Sequence, residues 1–171
     1  EYVREALPAR VYAPGTTPAY SNYATALAGY IVQRVSGTEY HSYIESKILK
    51  PLDMRFTSTR QPLPNRLKPY ASGGYQQMFG PSEPFEIVIP EPAGSVSASG
   101  ADMAKFMIAQ LNNGGPLLKP ATAREMQDYR APGLGPLNTM ALGFYEQTIN
   151  GQRSVSHGGD TDFFHSDLWL F

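Results

Sequence analysis

The 171 residues carry 14 Lys and Arg against 15 Asp and Glu, contain no cysteine, and are 42% hydrophobic. A near-neutral chain without a basic run offers no electrostatic footprint for nucleic acid and no basic stripe for a membrane surface, and without thiols it holds neither a disulfide scaffold nor a thiolate metal site. Its longest weakly polar stretch, residues 24–32, falls far short of the roughly 20 apolar residues of a membrane span, and the opening Glu1-Tyr2-Val3-Arg4-Glu5 is no signal peptide.

The hydrophobic fraction suffices for a sizeable core, while 16 glycines and 15 prolines point to many turns and long ordered loops. The chain starts without Met and stops inside the apolar, strand-prone run Ser166-Asp167-Leu168-Trp169-Leu170-Phe171, so it reads as a segment of one larger domain.

After the cluster Pro14-Gly15-Thr16-Thr17-Pro18, the positions Ala26, Leu27, Tyr30, Ile31 and Val35 recur at helical spacing until Gly37 and predict a first helix. A second is expected over residues 39–49, with Tyr40, Tyr43, Ile44 and Ile48 on one face and Pro51 as its stop. From 57 to 92 the pattern dissolves into Pro, Gly and Tyr, which predicts ordered loop with one short strand at 74–79. Ser97 or Ser99 would cap a helix running to Leu111, closed by Asn112-Asn113-Gly114-Gly115, and Pro120 would open a shorter one to about Tyr129.

Beyond Pro136 the period changes to two. Residues 140–149, then Asn150-Gly151, then 152–156 spell a hairpin, because the Asn-Gly pair supplies the positive φ angles that a two-residue type I′ turn demands. A third strand, over about 165–171, would pair alongside. Helices first and antiparallel strands last give an α+β class, with 1–135 a mainly helical lobe with long ordered loops and 136–171 the strands of a sheet.

Candidate chemistry is sparse. The chain has three histidines, and His41 reads as a plain helical residue without a partner. The run from His157 to His165 holds two His and two Asp and admits a divalent-metal reading. On an extended strand, however, the two imidazoles would lie roughly 26 Å apart unless the segment folds back. The same run admits another role: two glycines after a histidine leave a strand edge bare, where a substrate could lie by β-type pairing and a main-chain N–H could face a developing oxyanion. A simple bend would also explain the glycines.

At the mouth of the first helix, Tyr20 and Asn22 can point into one cleft, where the positive helix end favours phenolate. The plain alternative is an ordinary cap, with Ser21 or Asn22 as N-cap and Tyr20 as its hydrophobic staple. A nucleophile is missing: neither Ser-x-x-Lys nor Gly-x-Ser-x-Gly occurs, and Ser46 has Leu49 at the third place with Lys50 one too late.

Taken together, Tyr20-Ser21-Asn22 before a helix, the stretch from Pro92-Ala93-Gly94-Ser95-Val96-Ser97 to Asp102-Met103-Ala104-Lys105-Phe106, and His157-Gly158-Gly159 after a hairpin resemble the serine β-lactamase-related family. That family includes class C β-lactamases, D-alanyl-D-alanine carboxypeptidases, D-aminopeptidases and β-lactamase-like esterases. The resemblance implies a β-lactamase/transpeptidase-like fold, present in part as a helical lobe plus antiparallel strands of the central sheet. It also implies hydrolysis of an ester, amide or lactam through an acyl-serine, without metal or organic cofactor, on a small-molecule or peptide substrate, in a bacterial periplasm or at the cell surface.

By the same resemblance, Tyr20 is the tyrosine that serves with an upstream lysine as general base and proton donor. Asn22 binds the substrate's acyl side chain, His157 stands where the family has the lysine of Lys-Thr-Gly, Gly159 lets substrate approach the strand, and Asp160 offers its N–H to the oxyanion. A tyrosine with a reference pKa near ~10 needs positive charge beside it to act as a base near neutrality. His-x-Gly in place of Lys-Thr-Gly is similar to the esterase and D-aminopeptidase branches, and an imidazole would also grip a β-lactam carboxylate less firmly than an ammonium. The Ser-x-x-Lys would have to precede Glu1, and without it the segment is expected to be inert. A ligand-binding module of the same fold and a metalloprotein built on 157–165 remain as rivals.

Overall fold

Tyr23 ties the first two helices of the computed structural model together, its hydroxyl donating to the Val3 carbonyl at 2.9 Å. Residues 2–131 and 140–171 are described by the structure. The short α1 (Tyr2–Glu5) precedes α2 (Asn22–Ser36), which Ser21 caps by accepting the Ala24 N–H at 3.2 Å and Gly37 closes at φ 66°. That positive φ is cheap only without a Cβ. The expected apolar stripe is only partly inward, for Ala26 is buried while Ile31 is 50% and Val35 83% exposed. The helix docks instead through its small residues: a Cβ on Gly29 would come within 2.7 Å of the Pro92 ring.

The second expected helix forms with a change of winding. It starts as α3 (Tyr40–Ile44) with Glu39 accepting the N–H groups of His41 and Ser42 at 3.0 and 2.9 Å, and then widens over Glu45–Leu49 into a π-turn in which the Lys50 N–H reaches the Glu45 carbonyl. The strand expected at 74–79 does not form. Phe79 takes a φ of 68° and the Gly80 N–H bonds back to Gln77, so the segment turns and keeps only one bridge, Gly74 to Glu83.

Two very short strands escape the sequence pattern, β1 (Thr57–Ser58) and β2 (Ser97–Ala98), paired antiparallel. Ser97 therefore lies in a strand, and Ser99 is the cap of α4 (Gly100–Leu111), accepting the Asp102 N–H at 3.2 Å. Asp102 itself is 1% exposed and accepts the Phe56 N–H at 2.6 Å and the Thr57 hydroxyl at 2.9 Å, which pins β1 to the start of α4. A shorter helix, α5 (Pro120–Asp128), lies beside α4, with the Gln127 amide donating to the Gln110 carbonyl at 3.2 Å.

The hairpin follows the Asn-Gly signal: β3 (Tyr145–Ile149) and β4 (Gln152–Asp160) flank Asn150 and Gly151 at φ 51° and 77°, and β5 (His165–Leu170) completes the antiparallel order β3-β4-β5. The strands begin and end elsewhere than expected. Met140 makes only an isolated bridge to Tyr145, and β4 runs past Ser156 to Asp160. The expected lobe boundary at 135–136 lies outside the described residues. One face of the sheet packs Phe144, Val155 and Leu170 with Ala141 against Met107 of α4 and Met126 of α5. Burying each of the larger side chains stabilises by about 1.5–3 kcal/mol, which fixes β4 on the helices.

Candidate active site

Ser21 takes the cap at φ −153°, ψ 115°, so Asn22 becomes the first helical residue and its side chain is free to meet Tyr20. The Tyr20 hydroxyl donates to Asn22 Oδ1 at 3.0 Å. Tyr20 is 57% exposed and so is no buried staple, and of the two cap candidates Ser21 fills the position.

Against Tyr20 stands β4. The Tyr20 ring centroid lies 6.5 Å from that of His157. Tyr145, which the sequence reading passed over, completes a triangle at 6.4 Å from Tyr20 and 5.5 Å from His157. Counting pairs outward from Asn150-Gly151 puts Tyr145 opposite Ser156, next to His157, so the hairpin signal already held it. Burial pushes the Tyr145 hydroxyl above its ordinary value, and the neighbouring Tyr20 adds to the shift.

His157 Nδ1 lies 2.6 Å from the Gly158 carbonyl oxygen. An oxygen acceptor there requires the proton on Nδ1, which leaves Nε2 of the neutral ring as an acceptor. At the strand's end the Thr161 N–H bonds to the Phe164 carbonyl at 2.9 Å, on the β5 side. Antiparallel alternation then turns the amides of Gly158 and Asp160 to the other edge, where β3 pairs with β4 only as far as Ser156. Among the described residues those N–H groups have no ladder partner. Gly159 is held bare partly from within, since a Cβ there would meet Ser166 Oγ at 2.8 Å.

The tip joining β4 to β5 is braced by the long loop: the Asp162 N–H donates to Glu86 at 3.1 Å, and a Cβ on Gly74 would fall 2.5 Å from Phe163 Cβ. The fold-back on which the metal reading depended does occur, but it sets His165 against Asp160 (Nδ1 to Oδ1 2.6 Å) and His157 opposite Leu168. No group of three or more potential metal-ligating side chains assembles among the described residues.

His41 is not the isolated residue the helix pattern suggested. Its Nδ1 sits 2.9 Å from Thr59 Oγ1, and its Nε2 is 3.4 Å from Glu91 and 3.8 Å from Glu39. Although burial opposes it, the hydrogen bonds that Glu39 accepts from His41 and Ser42 hold its carboxyl down at about 2, with His41 adding attraction.

Helices stacked on an antiparallel sheet, with Tyr-x-Asn at a helix mouth facing a His-x-Gly strand, define a β-lactamase/transpeptidase-like fold. The chain belongs to the Beta-lactamase family, a family of hydrolases, whose model matches residues 5–171. It is similar to "Protein flp" of Staphylococcus aureus (strain N315), 30% identical over 159 residues, which covers 92% of this chain and 31% of the relative. It also resembles "Putative beta-lactamase-like 1" of Homo sapiens, 26% identical over 162 residues, 92% of this chain and 32% of that protein. The chain thus spans about a third of the length of the curated relatives it matches.

Among solved structures, a beta-lactamase/D-alanine carboxypeptidase from Pseudomonas syringae superposes with a TM-score of 0.74 at 18% identity, over 93% of this chain and 52% of the other. A D-stereospecific amidohydrolase from Streptomyces sp. superposes at 0.67 with 27% identity, over 88% and 45%.

Proposed function

We propose that this chain supplies the proton-handling and substrate-facing part of a serine hydrolase that cleaves an ester, amide or lactam through an acyl-serine, the nucleophilic hydroxyl coming from residues outside the 171. The observation that carries this reading is the convergence of Tyr20, hydrogen-bonded to Asn22, with His157 at the open edge of β4. Membership of a hydrolase family and the likeness to an amidohydrolase support it.

In this mechanism Tyr20 takes the serine proton as the Oγ–carbon bond forms, and passes it to the leaving oxygen or nitrogen as the acyl bond breaks. Water then adds to the acyl carbon, gives a proton to the same relay, and the serine departs with it. The phenol now donates to Asn22, so working as a base requires a cation beside it, the role of a Ser-x-x-Lys lysine. Asn22 keeps its amide NH₂ for the acyl side chain. The Asp160 N–H on the unpaired edge, together with the N–H of the serine, would hold the tetrahedral oxygen. An imidazole at 157 grips a carboxylate less firmly than the ammonium of Lys-Thr-Gly would, which favours esters over carboxylate-bearing lactams.

A serine-reactive phosphonate tests the reading. The intact protein should be labelled on one serine outside these residues and the isolated 171 residues not at all; stoichiometric labelling of a serine within them overturns it. A second reading, a non-catalytic module for peptidoglycan-like or acylated ligands, would be favoured by the absence of a Ser-x-x-Lys upstream of Glu1, whereas its presence there favours the enzyme. An intact protein that binds such peptides saturably, yet is nowhere labelled, selects that one.

A further inference from the structure

A cavity of about 560 Å³ opens beside α3 and shares no residue with the Tyr20–His157 site. Leu49 and Met54, both buried, give it an apolar lining, while Lys50, Arg55 and Arg66 line it as exposed cations. Its two carboxylates are already engaged. Glu45 is held by Arg60 at 2.7 Å, and Asp53 by Arg55 at 2.5 Å and Lys105 at 3.5 Å. Lys50 and Arg66 meet no carboxylate among the described residues, and the hydrogen bond Arg66 makes runs to the Arg55 carbonyl at 2.7 Å.

The backbone around the cavity is unusual in two independent ways. The π-turn over Glu45–Leu49 widens the wall, a winding poorer than α-helix that recurs at functional sites. Asp53 holds a φ of 53°, a left-handed conformation that costs a non-glycine residue energy and is retained where the surroundings impose it. The lining is mixed: Leu49 and Met54 supply its apolar part and the other eight residues are polar or charged, so an occupant needs a charged group as well as an apolar one.

We propose that this cavity binds a small amphipathic anion, a phosphate monoester or carboxylate whose charged group pairs with Lys50 and Arg66 and whose ring or short chain packs on Leu49 and Met54. Arg66 keeps guanidinium N–H groups beyond the one on the Arg55 carbonyl, suited to either oxyanion, and Lys50 is a compact charge on the same lining. The site is independent of the hydrolase reading.

Phenyl phosphate is the probe, titrated into the full chain and followed by amide NMR, with benzyl alcohol as uncharged comparator and benzoate as the carboxylate arm. Saturable shifts should appear at residues 46–55 and at Arg66 for phenyl phosphate or benzoate. They should weaken tenfold or more in K50Q and R66Q, and persist in Y20F. Shifts confined to the Tyr20–His157 site, equal affinity for benzyl alcohol, or unweakened binding by both variants overturns the proposal. Lys50 is exposed, so K50E serves as the charge-reversal test if R66Q loses its fold, and binding by K50E as tight as that of the parent overturns the site equally.

Discussion

The ring of Tyr20, at the mouth of α2, stands 6.5 Å from the imidazole of His157 on β4, and the hydroxyl of that tyrosine is committed to Asn22. Helix N-terminus and sheet are thereby brought together by packing that lies elsewhere, chiefly Gly29 on Pro92 and the Phe144–Val155–Leu170 cluster on α4 and α5.

Removing the Tyr20 hydroxyl tests the relay directly. In the intact protein, Tyr20→Phe should lower kcat/KM for a p-nitrophenyl ester by about 10²–10⁴-fold, the usual worth of a positioned acid–base group. The exposed ring keeps its stacking, so the unfolding midpoint should hold. Near-normal turnover would remove Tyr20 from the mechanism.

Under the proposed reading, position 157 affects preference more than rate. His157→Lys should raise the ratio of carboxylate-lactam to ester turnover, because an ammonium pairs with a carboxylate more firmly than an imidazole does. An unchanged ratio in parallel assays of the two substrates would refute that role.

Tyr145 offers a spectroscopic readout. Burial and the charge of a neighbouring phenolate both disfavour its ionised form, so its Cζ resonance should titrate above the ordinary tyrosine range and move downward in Tyr20→Phe. A midpoint insensitive to that substitution would mean the two rings do not interact.

Much of this was legible beforehand. Asn150-Gly151 fixes the hairpin register by local geometry alone, and Ser99 and Gly37 mark helix ends through capping chemistry confined to a few residues. Tyr20, Asn22 and His157 were readable as motif positions, but their meeting depends on side-chain packing with no periodicity to betray it. Lost altogether were β1 and β2, too short to show alternation, and the partners of His41, which come from Thr59 and Glu91 in aperiodic loop. The outward Ile31 and Val35 misled for the converse reason: a stripe records apolarity, not which side packs.

Stability should fall sharply when Asp102 is truncated. Asp102→Ala leaves the part-buried Phe56 N–H and the buried Thr57 hydroxyl without an acceptor, a loss of about 2–3 kcal/mol in urea unfolding. Lys105→Ala, which removes only the partly exposed partner, should cost under about 1 kcal/mol. Equal losses would show that the ion pair, and not the cap of β1, is what matters.

Acid should uncover the role of Glu39. Its folded carboxyl sits at about 2 against 4.5 in the unfolded chain, so its contribution is fully present above pH 4.5 and fades as pH falls toward 2. Glu39→Gln should therefore destabilise the protein at pH 7 and converge with the parent near pH 2. The side chain is 48% exposed, so the gap should also shrink with added salt. A difference constant across pH 2–7 would contradict the assignment.

Strand β4 outruns β3, so from Gly158 to Asp160 one side of its main chain is left to be matched by whatever extended molecule is laid there. A ladder of amides is blind to side chains. Discrimination among occupants would then fall to the two end-stops of that berth, the Tyr145 ring and the 161–164 tip braced by Glu86 and Gly74. If the proposed reading holds, redesigning the tip would change which substrate is accepted without altering Tyr20.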